Sequence, residues 1–276
     1  MALKLMYITN QPEIAQIAEI AGVDRIFVDM EYIRKCMRQG GMNTVQNHHT
    51  VEDVKAVRNA VKKAEVLCRI NPIHEATAHY CSSKEEIDNA INAGADILML
   101  PYFKTIEEVQ VFIELVRGRA KVIPLVETPE AVEVIDQILD LEGLDEIYIG
   151  LNDLSLGYGM KFMFELLSNG TVERLCLKFR QKGIPYGFGG IASLGKGLLP
   201  SEYVIREHYR LGSTCAILSR SFCNINQIKN IEAIRTIFVK GIQEIRELET
   251  ECEKYSQYFW DNMREVINRV KIICEE

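Results

Sequence analysis

The sequence predicts an α/β fold: a (β/α)8 (TIM) barrel followed by a C-terminal helical extension. Three observations predict it. Eight short apolar runs, rich in β-branched residues, recur along the 276 residues, and helical patterns separate them. No Gly-x-Gly-x-x-Gly follows the first run, which sets the barrel ahead of a doubly wound open sheet. The length suits a single barrel, a fold that commonly reaches about 250 residues.

In chain order the expected strands are Leu3–Thr9, Arg25–Met30, Val66–Ile70, Ile97–Leu100, Val122–Val126, Glu146–Ile149, Ile184–Phe188 and Cys215–Ser219. Most are continuously apolar rather than alternating, as parallel strands covered on both faces require. Helix signals fill the intervals. Pro12-Glu13 opens an apolar-periodic stretch that closes at Ala21-Gly22. Thr50-Val-Glu-Asp53, Ser83-Lys-Glu-Glu86 and Thr105-Ile-Glu-Glu108 each read as a capping box. A glycine followed closely by an aspartate leads from helix into strand at Ala21–Asp24, Ala93–Asp96 and Glu142–Asp145. The barrel domain is assigned to residues 1–225 and the helical extension to 226–276. In the extension, Ile228, Ile231, Ile234, Phe238, Ile242, Ile245 and Leu248 keep helical spacing, and a second amphipathic stretch covers about Tyr255–Ile273. Such a stripe packs on its own barrel or is exchanged with a neighbouring subunit, and a homo-oligomer is expected.

Composition narrows the function classes. A hydrophobic share of 47% excludes intrinsic disorder, and a net charge of −7 argues against nucleic acid and anionic membrane as partners. Eight scattered cysteines without a CxxC pair read as small buried hydrophobes in a reducing compartment. Neither a signal peptide nor an apolar run of about 18–20 residues is evident, so a cytoplasmic location is expected.

Polar residues gather where the apolar runs end, on what would be the active face of a barrel. Strand two ends in Asp29-Met-Glu31, strand three in Arg69-Ile-Asn71-Pro72 and strand five in Glu127-Thr128. Strand six ends in Gly150-Leu-Asn152-Asp153-Leu-Ser155 and strand eight in Ser219-Arg220-Ser221, whereas strand four offers only Pro101-Tyr102. Glu127 and Asp153 end neighbouring staves, and two hard oxygen donors at an open site suit Mg2+ or Mn2+. Arg69 carries a bidentate fork for a carboxylate. An arginine beside a metal suits a 2-oxo acid, whose enolate charge the guanidinium can hold. His48 and His49, beyond strand two, can supply an imidazole, and Arg34, Lys35 and Arg38 add cations near the same mouth. The glycines of Tyr186-Gly-Phe-Gly-Gly-Ile and of Gly195-Lys-Gly197 could approach an anion such as phosphate, or could mark tight turns.

These strand ends carry a resemblance. Gly-Val-Asp-Arg-Ile-Phe-Val-Asp29-Met-Glu31, Arg69-Ile-Asn71-Pro72, Ala-Gly-Ala-Asp-Ile-Leu-Met-Leu-Pro101, Leu-Val-Glu127-Thr and Ile-Gly150-Leu-Asn-Asp153-Leu-Ser resemble the HpcH/HpaI aldolase and citrate lyase β-subunit family, in order, over about Lys4–Phe222. The resemblance implies metal-dependent cleavage or formation of a carbon–carbon bond through a pyruvate enolate, with a 2-oxo acid and an aldehyde or acyl partner. By the same resemblance Glu127 and Asp153 are the metal ligands and Arg69 binds the substrate carboxylate and the transition state. The amides of Asn152 and Asp153 hold the pyruvyl carboxylate, Asp29 and Glu31 match the acidic pair of an Asp-x-Glu-His motif, and Asn71 joins the substrate-binding set. A trimer or hexamer is suggested. The match fails at the histidine of that motif, which here is Tyr32, and a tyrosine with an ordinary pKa near 10 is a poor base at neutral pH. His48 or His49 is then the expected base. Two further readings stay open: an acyl-coenzyme A lyase, favoured by Arg69-Ile-Asn71-Pro72, and a non-catalytic keto-acid-binding barrel, favoured by Tyr32.

Overall fold

The computed structural model describes residues 2–33 and 48–275. Eight parallel strands form a closed barrel in sequence order: β1 (Lys4–Ile8), β2 (Arg25–Asp29), β3 (Glu65–Arg69), β4 (Ile97–Leu100), β5 (Lys121–Val126), β6 (Ile147–Ile149), β7 (Tyr186–Ile191) and β8 (Cys215–Leu218). Closure comes from the pairing of β1 with β8, with Lys4 opposite Cys215 and Tyr7 opposite Leu218. Closing the sheet leaves no unpaired edge. Met6, Phe27, Leu67, Met99, Ile123, Leu125 and Tyr148 fill the barrel interior, while a larger apolar layer lies between strands and helices.

The expected strands fall within a residue or two of the observed ones, except β7. It starts and ends later than the Ile184–Phe188 run, because a bulge spreads Gly187–Gly190 against only Cys215–Ile217 of β8. Gly187 is required there: a Cβ would lie 2.4 Å from the Cys215 carbonyl oxygen and 2.6 Å from the Tyr148 ring. The glycine run thus lets β7 approach β8.

The described helices alternate with the strands. α1 (Pro12–Ala21) has proline in its first turn and ends at Gly22 in the left-handed region, φ 102°. α2 (Val51–Ala60) and α4 (Ile106–Val116) have the expected capping boxes. α3 (Ser83–Asn92) is capped one residue earlier than expected, by Ser82 with Glu85, which fit the same Ser-x-x-Glu pattern. That shift releases Ser83 and Glu86 for other bonds: Ser83 Oγ accepts from the His74 amide, and Glu86 accepts from Asn71. After β5 come the short α5 (Pro129–Glu133) and α6 (Ile135–Ile138). α7 (Leu151–Gly157), α8 (Glu165–Ser168) and α9 (Thr171–Gln181) follow β6, and α10 (Ser201–Leu211) follows β7. The chain ends in α11 (Ile231–Lys254) and α12 (Phe259–Glu275). α11 packs on α1 and α10, and α12 on α8 and α10. Glu249 and Arg246 of α11 clamp the start of β1, accepting from the Leu3 amide at 2.7 Å and donating to the Leu3 carbonyl at 2.8 Å. No described helix is long and apolar enough to cross a membrane.

Charge was expected only at the C-terminal strand ends, but it stands at both ends of the barrel. Arg25, at the start of β2, is 1% exposed and forks onto Glu146 at 2.8 and 2.9 Å, with its Nε donating to Glu65 at 3.0 Å. This network plugs the floor that opposes the active face. Arg25 and Glu146 were read as the opening residues of apolar runs, so their pairing across the barrel floor was not legible.

A buried histidine makes stability depend on pH. His208 of α10 stacks on Phe188 at 3.9 Å between ring centroids, with Nδ1 2.8 Å from Ser213 Oγ, and burial lowers its pKa to about 3. The unfolded chain, with an ordinary histidine near 6.5, therefore binds a proton that the folded chain refuses between those two values. Stability falls as pH drops through that window, by about 1.4 kcal/mol per unit once the unfolded histidine is mostly protonated. Equilibrium denaturation at pH 7.0 and 5.0 should show the fold weakened at the lower pH. His208→Phe, which keeps the stacked ring, should lose part of that slope; an unchanged slope would remove His208 as its source.

Candidate active site

At the C-terminal end of the strands the barrel opens into a cavity of about 410 Å3, lined by residues from all eight strands or from the segments that follow them. Arg69, Glu127 and Asp153 share this cavity with Asp29, His49 and Asn152. The structure thus brings two carboxylates and a guanidinium of the expected set to the lining of one cavity. His48, Glu31 and Asn71 do not line the cavity, and each has a different surrounding.

Arg69, the last residue of β3, points inward over Phe27, its Cζ 5.5 Å from the ring centroid. Asp29, at the end of neighbouring β2, accepts from Arg69 Nε and Nη2, both at 2.8 Å. Glu31 Oε2 lies 3.4 Å from Arg69 Nε. Both carboxylates are buried, so Arg69 is held by charge-assisted bonds in a dry environment. Burial alone would lower its pKa, but the charges of Asp29 and Glu31 outweigh that and raise it well above the usual arginine value. Asp29 has both carboxylate oxygens engaged, so its geometry is that of a residue that positions Arg69. The Nη1 edge of the fork remains directed away from this pair.

Glu127, the residue after β5, is buried and accepts at Oε1 from the backbone N–H of Tyr102, at 2.9 Å. Tyr102 is one of two described non-glycine residues with positive φ, 51°. The left-handed backbone turns its amide toward Glu127, a local strain of the kind found where a site must be held. Across from Glu127, Gly150 leaves necessary room, because a Cβ there would come within 2.8 Å of Glu127 Cβ and 2.9 Å of Oε2. Gly150 precedes α7, whose first turn carries Asn152 and Asp153, with Asn152 Nδ2 donating to Asp153 Oδ1 at 3.0 Å. Gly150→Ala should push Glu127 aside. Activity is expected to fall at least tenfold, whereas overpacking costs about 1–3 kcal/mol of stability. Steady-state rates beside thermal melts would separate the two, and normal activity would show that the space is not needed.

His49 enters from the segment before α2. Its Nδ1 accepts from the Asp29 backbone N–H at 3.0 Å. A nitrogen that accepts cannot carry the ring proton, so the neutral imidazole carries it on Nε2 and is a donor there. His48, the other expected imidazole, is exposed. Arg34, Lys35 and Arg38 lie outside the described residues. Tyr32 is 43% exposed, and partial burial with the nearby Glu86 charge raises its pKa, moving it further from use as a base.

Asn71 is corrected by the structure. Expected at the substrate, it is 2% exposed, and both ends of its amide are used within the protein. Oδ1 accepts from the amides of Tyr32 (2.9 Å) and Ile33 (2.8 Å), while Nδ2 donates to Glu86 Oε1 at 2.7 Å and to the Met30 carbonyl at 3.3 Å. It clamps the chain that leaves β2. The glycine-rich segment after β7 divides likewise: Gly189 and Gly190 line the cavity, but Gly195 and Gly197 do not. Sequence reasoning missed Tyr102, whose contribution is a backbone N–H. It also gave no role to Arg220, which lines the cavity after β8.

Comparison with known proteins agrees with this architecture. The chain overlays an HpcH/HpaI aldolase from Desulfitobacterium hafniense DCB-2 with a TM-score of 0.58 at 18% identity, covering 89% of this chain and 93% of that one. A HpcH/HpaI aldolase/citrate lyase family protein from Burkholderia cenocepacia J2315 gives 0.60 at 16% identity, covering 84% and 95%. Macrophomate synthase gives 0.55 at 15%, covering 79% and 77%. At these identities the likeness is one of fold. No curated protein sequence matches the chain. The sequence model of the HpcH/HpaI aldolase/citrate lyase family matches residues 4–165, which include Asp29, Arg69, Glu127 and Asp153, and the chain belongs to that family.

Proposed function

We propose that this chain is a carbon–carbon lyase that cleaves or forms 4-hydroxy-2-oxo acids through a pyruvate enolate. Its family is one of aldolases and lyases. The observation that carries the reading is Arg69, buttressed by Asp29 and sharing one cavity with Glu127 and Asp153.

A divalent cation fits this donor set. Among the described residues no group of three or more His, Cys, Asp or Glu could hold a metal, and of these residues Glu127 and Asp153 would be the ones to hold the cation. Both give hard oxygens, the preference of Mg2+ and Mn2+, with water and substrate completing the sphere. Charge balance points the same way: Asp29, Glu127 and Asp153 line the cavity with Arg69 and Arg220, a net −1 among its described residues, and the buried Glu31 beside Arg69 adds to the negative side. When bound, the cation polarises the keto acid and neutralises part of this charge.

The chain's own residues do the rest. The Nη1 edge of Arg69 donates to the C2 oxygen as it gains enolate charge, while the first-turn amides of Asn152 and Asp153 orient the substrate carboxylate. In cleavage the C4 hydroxyl passes its proton to a water in the cavity, its oxygen becomes the aldehyde carbonyl and the C3–C4 bond breaks; His49, which carries its proton on Nε2, orients the C4 oxygen and is not the base. The electron pair moves through C3 to the C2 oxygen, and protonation at C3 then yields pyruvate. In condensation C3 attacks the aldehyde carbon, and His49 Nε2–H donates to the aldehyde oxygen. The acyl-coenzyme A alternative rested on Arg69-Ile-Asn71-Pro72; with Asn71 committed to the backbone, that motif no longer argues for it.

The test is loss of pyruvate methyl protons to D2O, followed by NMR, together with pyruvate release from 4-hydroxy-2-oxo acids. Both activities should be present with Mg2+ or Mn2+. Chelator, or Glu127→Gln, should lower each by about 10²-fold or more, the loss of one strong electrostatic contact. Exchange indifferent to chelator would remove the cation, and absence of both activities would remove the lyase.

A further inference from the structure

Three residues past Arg69 stands Pro72, which has no N–H to continue a ladder between β3 and the segment that leaves β2. Main-chain bonding here reaches the Met30 amide, which donates to the Arg69 carbonyl at 3.0 Å. Beyond it the Asn71 side chain takes over. Nδ2 donates to the Met30 carbonyl, and Oδ1 accepts from the amides of Tyr32 and Ile33. These bonds bracket Glu31, the second carboxylate beside Arg69. The place of Glu31 therefore depends on which way round the Asn71 amide is held. Glu86 of α3, itself buried, decides that. Its Oε1 accepts from the Asn71 main-chain N–H at 3.2 Å and from Nδ2 at 2.7 Å. The main-chain bond makes Oε1 an acceptor, so the NH2 end of Asn71 faces it and Oδ1 is turned to the two amides. Helix capping makes no demand on Glu86, because Ser82 and Glu85 form the cap of α3. Neither Glu86 nor Asn71 lines the cavity.

We propose that Glu86 is a positioning residue for the lyase: through Asn71 it sets the place of Glu31 beside Arg69, and so the aim of the guanidinium at the enolate oxygen. The proposal rests on the lyase reading above and extends it to a residue outside the cavity. Arg69 acts on charge that develops during the reaction, so a loss of aim lowers kcat more than it raises KM.

The experiment measures pyruvate methyl exchange with Mg2+, beside thermal melts, in wild type, Glu86→Gln, Glu86→Ala, Asn71→Ala and the double variant Asn71→Ala with Glu86→Ala. In Glu86→Ala a water can fill the space without fixing the direction of the Asn71 amide. Its kcat should fall about tenfold or more, since a displacement on the order of 1 Å can cost about 10²-fold, while KM for pyruvate changes less. Glu86→Gln can present the same acceptor oxygen and should keep most of the rate. The double variant should be no slower than Asn71→Ala, because Glu86 then has no amide to orient. Should Glu86→Ala not fold, Glu86→Leu, which fills the space, takes its place in the same comparisons. The proposal is overturned by wild-type exchange in Glu86→Ala, by a fall in Glu86→Gln as deep as in Glu86→Ala, or by losses that multiply in the double variant. Any of these, with exchange present in wild type, removes this inference and leaves the lyase standing. If wild type exchanges no pyruvate protons, the lyase reading falls and this one with it.

Discussion

Replacing Arg69 by lysine is expected to lower pyruvate methyl exchange by about 10²–10³-fold, the range found when one preorganised donor to a developing oxyanion is lost. Lysine keeps the charge and loses the fork. The wild-type guanidinium bonds Asp29 through Nε and Nη2 at the same time, which fixes its plane and leaves Nη1 outside that pair of bonds, in an arginine that lines the cavity. A lysine ammonium can sit between Asp29 and Glu31, but it then has no second rigid arm for the substrate. Arg69→Met should do more, because it leaves two buried carboxylates without their cation, at about 3–5 kcal/mol of stability. The pair therefore separates two roles. Arg69→Lys should melt near the wild type yet be inactive, and Arg69→Met should be both inactive and less stable. Wild-type exchange in Arg69→Lys would show that the fork is not the catalytic element.

How much of this was legible in the sequence depends on where each residue's partners lie. The strands were read from continuous apolar runs, a local property, and only β7 was misplaced, because its glycines obey the close approach of β8 rather than local preference. Arg69, Glu127 and Asp153 were read from their place at strand ends, since the barrel brings every such end to one face. Asn71 stood at the same kind of place, but its partners are backbone groups of the chain leaving β2 and a carboxylate on α3. The choice between His48 and His49 turned on one hydrogen bond to a strand 20 residues earlier. Tyr102 acts through a main-chain N–H, which no side-chain pattern announces.

An equally large effect on stability is expected at the other end of the barrel, where Arg25→Met should cost about 3–5 kcal/mol. Arg25 is fully enclosed with Glu146, and Cys215 Sγ donates to the same carboxylate at 2.9 Å. Burial pushes the Glu146 pKa up, but the Arg25 bond and charge outweigh it and hold the carboxyl below the ordinary value. In wild type this pair contributes stability above the unfolded glutamate pKa, and that contribution is lost as pH falls through the lower folded value. Without Arg25 burial, the largest effect, is opposed only by the Cys215 bond and the Lys4 charge, so the folded pKa of Glu146 should rise above the unfolded one. The sign of the dependence then reverses: the folded variant binds a proton that the unfolded chain releases, and acidification from pH 7 toward 5 should strengthen it relative to wild type. Restoring neutrality should act alike, so Arg25→Met with Glu146→Leu should recover most of the lost stability, since a buried ion pair replaced by apolar side chains of similar volume is often neutral. Denaturant titrations of the single and double variants at pH 7 and 5 measure both effects. A single variant as stable as wild type at pH 7 would mean that Glu146 finds another cation, and Lys4, whose charge already acts on Glu146, is the candidate.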